Sequence, residues 1–240
     1  MKKTVLAFAA VLATASAVAQ PTDTLKKIKD SGAVTMGVRE SSGALSYTLG
    51  DGKYVGYHVE ICQRVLADIQ KQLGLAKLDI KYQPVTSQNR IPLTQNGTVD
   101  IECGSTTNNA TRQKDVSFAV TTFVEEVRIA VKANSGITSI NQLAGKKVAT
   151  TTGTTSVQTL RKHERAHGVD FEEVFGKDHA DSFLLLESGR ADAFVMDGAI
   201  LAGSIAKAKN PADFKVVGEV LSVEPIAIMF RKDDASFKKA

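Results

Sequence analysis

The chain has 240 residues, 43% hydrophobic and 23% charged, with a formal net charge of +4, two cysteines and no tryptophan. Acidic and basic residues are interspersed, and no polybasic block appears. This excludes a role built on a basic stripe, such as nucleic-acid binding or attachment to an anionic membrane.

The N-terminus reads as an export signal. Lys2 and Lys3 form a basic start, residues 4–13 are apolar, and Ala17-Val18-Ala19 is an A-x-A cleavage signal before Gln20. Residues 1–19 are expected to be a removed signal peptide. The apolar run is too short to span a bilayer, and no cysteine at the cleavage point offers a lipid anchor. Loss of the two lysines brings the formal charge from +4 to +2. The expected product is a soluble periplasmic chain. In that compartment Cys62 and Cys103 are either bridged or free. Their spacing fits no metal motif, and sequence alone cannot place their Cα atoms within bridging distance.

The elements then alternate. Residues 24–29 read as a helix with Thr22 or Asp23 as cap, and 33–38 as a strand. Residues 44–57 are strand and turn, with Asp51-Gly52 at a hairpin. Ile61, Val65, Leu66, Ile69 and Leu73 recur at helical spacing, and Gly74 stops that helix. A strand at 78–84, a short helix at 90–95 and a buried strand at 99–103 complete the first half.

The second half has strands at 127–131, 147–150, 169–174 and 191–196. Helices are expected at 156–167, 181–188 and 198–209, with a helical turn at 140–143. The last strands are 214–217 and 226–230. Strand–helix alternation predicts largely parallel α/β sheets.

One pattern occurs in both halves. Gly97-Thr98-Val99-Asp100 and Gly189-Arg190-Ala191-Asp192 each follow a helix and open a strand. The glycine reads as a helix C-cap and the aspartate as an exposed residue at the strand's mouth. The repetition suggests two lobes of similar build. The β-rich, helix-poor stretch 118–124 marks one crossing between them, and 217–223 marks the return.

The residues of greatest chemical interest run from Val85 to Arg112. Arg90 follows Ser87, Gln88 and Asn89 at a helix start, an unfavourable place for a cation unless some other group wants it. Ser105, Thr106 and Thr107 lie just past a strand's C-terminal end, where open α/β sheets bind ligands. Guanidinium forks and hydroxyls gathered there suit a small carboxylate. Gly153-Thr154-Thr155, between a strand and a helix, offers backbone N–H groups to an anion. Arg39 follows the first strand directly. Thr106, Asn108 and Asn109 read as turn formers, and His58, His163 and His167 as surface or helix residues. Asp178-His179 also reads as a helix cap.

Several stretches together carry a family resemblance. They are Gly37-Val38-Arg39-Glu40-Ser41-Ser42, Thr86-Ser87-Gln88-Asn89-Arg90-Ile91-Pro92, the run from Glu102 to Asn109, Gly153-Thr154-Thr155-Ser156, Lys177-Asp178-His179 and Leu186-Glu187-Ser188-Gly189-Arg190-Ala191. The chain resembles the periplasmic substrate-binding proteins of amino-acid ABC transporters (solute-binding family 3), in their glutamate/aspartate-binding branch. The resemblance implies a two-lobed type II Venus-flytrap of α/β class. Lobe 1 is expected over 20–121 and 220–240, and lobe 2 over 122–219. Further helices completing lobe 1 are expected after Ala240, where this sequence stops.

Carried over by position, Arg112 is expected to clamp an α-carboxylate with Thr107 and Thr154. Asp197 takes the α-ammonium with Ser105. Arg39, Ser87, Arg90 and His179 surround the side-chain carboxylate, and Thr151 adds a hydroxyl. The implied partners are L-glutamate or L-aspartate and a membrane permease. No cofactor or metal is implied, and the chain is expected to act as a monomer. The alternative is an enzyme on the same scaffold, of cyclohexadienyl dehydratase type, with Glu40 or Glu102 as the nearest general acid.

Overall fold

The computed structural model of the protein describes residues 23–240; the expected signal peptide lies outside them. No helix among these residues is long and apolar enough to cross a membrane.

The chain opens with α1 (Thr24–Ser31), started by Asp23, whose side chain accepts the Lys26 N–H, and closed by Gly32 in the left-handed region. Strand β1 (Ala33–Val38) follows. A small antiparallel sheet of β2 (Ser41–Ser42), β3 (Ser46–Gly50) and β4 (Lys53–Val55) leads into α2 (Tyr57–Gln72). Then come β5 (Asp79–Pro84), α3 (Arg90–Gln95), β6 (Ile101–Glu102) and the 17-residue β7 (Val116–Lys132). The second half holds β8 (Lys147–Thr151), α4 (Thr155–His167), β9 (Glu172–Gly176), α5 (His179–Glu187), β10 (Ala193–Asp197) and α6 (Gly198–Ala206). The 18-residue β11 (Phe214–Arg231) returns, and α7 (Ala235–Lys239) packs beside α1, where Asp234 accepts from the backbone N–H and hydroxyl of Thr24.

Eight strands form one ladder in the order β5-β1-β6-β11-β7-β10-β8-β9. The outer strands pair in parallel, β5 and β6 on β1 and β9 and β10 on β8. The long strands β7 and β11 pair antiparallel through the middle. The sequence suggested separate strands at 214–217 and 226–230. They are parts of one strand, broken by register shifts between Val217 and Ser222 and around Ala227. Burial explains why the continuity was hidden. The stretch from Val120 to Val124 in β7 is largely exposed, with Val120 80% exposed, while both ends enter cores.

Those cores are distinct. One gathers Ile28, Met36, Leu66, Ile69, Ile101 and Phe230. Two others belong to the second half, around Ile129, Leu143 and Leu160, and around Phe183, Phe194 and Leu201. Two paired strands with an exposed, register-shifted middle are the connection between them. Cys62 of α2 and Cys103 beyond β6 form a disulfide with Cα atoms 6.4 Å apart, tying helix to sheet inside the first core.

The repeated glycine–aspartate pattern has a common physical cause. Gly97 and Gly189 both take positive φ. Asp100 accepts the backbone N–H of Thr35, and Asp192 that of Lys147, each at 2.9 Å. Each carboxylate thus ties the mouth of the neighbouring parallel strand. Asp192 is exposed as expected, but Asp100 is buried, compensated by Lys27 at 2.6 Å.

Candidate functional site

The expected site residues other than Arg112 lie at or just past the C-terminal ends of parallel strands. Arg39 follows β1, Ser87 and Arg90 follow β5, and Ser105 and Thr107 follow β6. Arg112 opens a short 3-10 turn before β7. Across from them, Thr151 ends β8, Thr154 stands at the N-cap of α4, His179 opens α5, and Asp197 ends β10. This is the crevice position that open α/β sheets use for ligands.

All ten are buried. Three arginines buried this close together are unusual, because desolvating a charge is costly unless a partner answers it. Arg90 donates from Nη1 to the Ser105 carbonyl at 3.1 Å, and Arg112 donates to the carbonyls of Thr107 at 3.0 Å and Gly153 at 3.3 Å. Burial, and then the neighbouring Arg112, push the Arg90 pKa well down; burial also lowers that of Arg112. A guanidinium stays protonated in proteins, so this penalty becomes a demand for an anion. Among the described residues, the buried side-chain atoms with no hydrogen-bond partner include four donors here, Arg39 Nε and Nη1, Arg90 Nε and Ser87 Oγ, and two carboxylate oxygens, Glu102 Oε1 and Glu125 Oε1. An unmade bond at such a group costs about 1–3 kcal/mol.

Asp197 supplies the opposite sign. It stands at the N-cap position of α6, yet its carboxyl makes no capping bond. Burial, with Glu125 and Glu224 nearby, pushes its pKa up to about 7. Glu125 and Glu224 face each other directly in the β7–β11 ladder, an arrangement that like charges make unfavourable. Glu125 is relieved by the Ala199 N–H at 3.2 Å, and Glu224 by the Ser222 hydroxyl at 2.7 Å. Nothing in the sequence pattern marked these two carboxylates, because an acidic residue in a long strand normally faces water.

The two halves touch across the crevice. Thr107 and Thr155 hydroxyls lie 3.5 Å apart, and Arg112 reaches Gly153 from the other side. Gly153 has φ +82°, and a Cβ there would meet Gln88 Cα at 2.8 Å, so only glycine permits this approach. Ser105 shares a 2.9 Å hydrogen bond with Ser42, and Thr154 donates to the Thr151 carbonyl at 2.8 Å. Thr151 lies 3.0 Å from His179 Nδ1 and 2.8 Å from Ser182.

His179 joins the site as a neutral ring. Burial, then the Arg39 charge, lower its pKa to about 3. Its Nε2 sits 3.2 Å from Arg39 Nη2, so it contributes a hydrogen bond and not a charge. Asp178 was read as a helix cap; its carboxylate faces Arg39 and Ser41 instead. Two further expectations change. His58 is fully buried, with Nδ1 at the Gly104 carbonyl and Nε2 2.9 Å from the Thr122 hydroxyl. Thr106 is no simple turn former. Its hydroxyl donates to Glu102 Oε2 at 2.7 Å, fixing a buried carboxylate beneath the arginines. His163 and His167 stack with centroids 4.0 Å apart, and no group of three or more metal-ligating side chains occurs among the described residues.

The geometry therefore offers buried guanidinium and hydroxyl donors for carboxylates and one buried carboxyl for an ammonium. The comparisons with known proteins point the same way. Residues 34–240 match the model of the bacterial extracellular solute-binding proteins, family 3. The L-glutamate/L-aspartate-binding protein of Pseudomonas aeruginosa is 48% identical over 236 residues, covering 97% of this chain and 78% of that protein. The glutamate/aspartate import solute-binding protein of Escherichia coli K12 is 46% identical over 216 residues, covering 90% of this chain and 72% of that protein. Among solved structures, holo ArgBP from T. maritima superposes with a TM-score of 0.77 at 26% identity, covering 89% of each chain. An ABC transporter periplasmic binding protein from Brucella ovis with glutathione bound gives 0.81 at 25% identity, covering 90% of this chain and 68% of that one.

Proposed function

The chain belongs to the bacterial extracellular solute-binding proteins of family 3, and on that premise we propose that it captures L-glutamate or L-aspartate and delivers it to the membrane permease of an ABC importer. The observation that carries this reading is the set of buried, unanswered donors on Arg39, Arg90 and Ser87. A carboxylate answers them; the isosteric amide of glutamine leaves charges unpaired, at a cost far above that of a missing methylene. The α-carboxylate goes to Arg112 with Thr107 and Thr154, and the ammonium to Asp197 with Ser105. The side-chain carboxylate goes to Arg39, Ser87, Arg90 and neutral His179, while Thr151 holds the His179 ring. In the same reading residues 20–121 with 220–240 form one lobe and 122–219 the other. They close by bending where β7 and β11 run exposed. The mature chain is a periplasmic monomer freed from its signal peptide. The relatives are named as binding proteins, not enzymes. Glu102, the buried candidate for a general acid, is engaged by Thr106.

Calorimetry against the twenty amino acids tests this. Glutamate and aspartate are expected to bind, and glutamine and asparagine to bind at least 100-fold more weakly. At a thousand times its dissociation constant the ligand should add roughly 4 kcal/mol of stability, visible as a raised melting temperature. Preference for a neutral or cationic amino acid would overturn the reading.

A pH series tests the ammonium partner. An ammonium needs Asp197 ionised, and in the closed crevice without a ligand burial pushes its carboxyl up to about 7. Affinity should therefore weaken as pH falls below 7, by up to about tenfold per unit, and level off above about 8. A flat profile from pH 5 to 8 would remove Asp197 from the amine.

A further inference from the structure

Asp178 stands at the N-cap of α5 but makes no bond to that helix's own N–H groups. It reaches across the crevice instead. One carboxylate oxygen accepts from Arg39 Nη2, and the other accepts from Ser41 Oγ at 2.9 Å. The Ser41 oxygen in turn accepts the Ala180 N–H at 3.2 Å. His179 Nε2 lies 3.2 Å from the same Arg39 nitrogen. Three consecutive residues of the second half, Asp178, His179 and Ala180, thus clasp Arg39 and Ser41 of the first.

The pairing is nearly dry. Arg39 is fully buried and the Asp178 side chain is 17% exposed. Burial works to raise the Asp178 pKa, but the Arg39 charge and the hydrogen bonds from Arg39 and Ser41 outweigh it and hold it below the usual range. A helix start normally spends its cap residue on its own N–H groups. Here α5 forgoes that bond for one that exists only while the two halves are together. Asp178 also engages only the Nη2 corner of Arg39. Nε and Nη1, the other edge of the fork, have no partner among the described residues.

We propose that Asp178 and Ser41 form a latch that fastens the closed arrangement. Neither latch residue is among those assigned to the ligand. The inference rests on the solute-capture reading and adds to it a ligand-independent contribution to closure. Its signature is a loss of affinity that is the same for every ligand, because the latch bonds form on closure whatever the site holds.

The test uses Ser41→Ala, which removes both serine bonds without altering charge. The dissociation constant should rise about fivefold, the worth of a hydrogen bond, equally for each amino acid the wild-type chain binds. The melting temperature of the ligand-free protein should stay unchanged, since the latch is absent when the halves part. Asp178→Asn in the Ser41→Ala background should cost less than it does alone, because both act through one device. A wild-type dissociation constant in Ser41→Ala would overturn the latch. So would a loss that differs between glutamate and aspartate, or one matched by a lowered ligand-free melting temperature. If the wild-type panel selects a non-acidic amino acid, the acidic-ligand reading fails, and the latch is judged with the ligand that does bind. A wild-type chain that binds no amino acid overturns both.

Discussion

An Arg112→Ala protein should lose about 30-fold or more in affinity for every amino acid the wild-type chain binds, whatever its side chain. Arg112 donates to Thr107 in one half and to Gly153 in the other, so its guanidinium sits where both halves meet. An α-carboxylate is common to every amino acid, and this is the cation placed to receive it between them. Truncating one partner of a buried, hydrogen-bonded charge pair costs about 2–5 kcal/mol or more, roughly 30-fold to several thousand-fold in affinity. The two carbonyls that Arg112 serves also lose their donor, which loosens the Gly153 turn. Calorimetry with glutamate, aspartate and glutamine reads the outcome. Retention of glutamate affinity within tenfold would show that the α-carboxylate lies elsewhere.

Arg90→Ala should separate function from stability more sharply than any other change. Arg90 is 2% exposed, and its pKa is pushed well down by burial and by Arg112. Without a ligand the halves part, so removing Arg90 costs the ligand-free protein little beyond one bond to the Ser105 carbonyl. The melting temperature should therefore fall by little. Glutamate affinity should drop by about 100-fold or more, because a desolvated carboxylate loses its charged partner. Glutamine affinity should change far less, so the preference for the acid over its amide collapses. Equal losses of stability and affinity would make Arg90 a structural residue.

Much of this arrangement was legible in the residues. Strand β1 and helix α3 fall where the apolar runs and their polar boundaries put them, at Ala33–Val38 and Arg90–Gln95. Arg39 and Arg90 could be singled out because a cation after a strand or at a helix start needs a reason to be there, whereas Arg112 stands out only through the family resemblance. Other features were hidden by physics that acts over long separations. The unity of β11 depends on its pairing with β7, and its exposed, register-shifted middle reads locally as a break. Asp178 has the local signature of a cap, and only the closure of the crevice turns it toward Arg39. His58 reads as a helix-surface residue, yet the fold places its ring between Gly104 and Thr122. Glu125 and Glu224 face each other only because two strands 99 positions apart in sequence lie in register.

The central claim is that both halves converge on one acidic zwitterion, cations to its carboxylates and Asp197 to its amine. A crystal structure of the protein with L-glutamate tests it most directly. The expected complex has the α-carboxylate in hydrogen-bond reach of Arg112, the ammonium at Asp197, and the side-chain carboxylate on the free edges of Arg39 and Arg90. A complex in which the ligand lies elsewhere, or in which those guanidiniums turn outward to bulk water, would contradict the account.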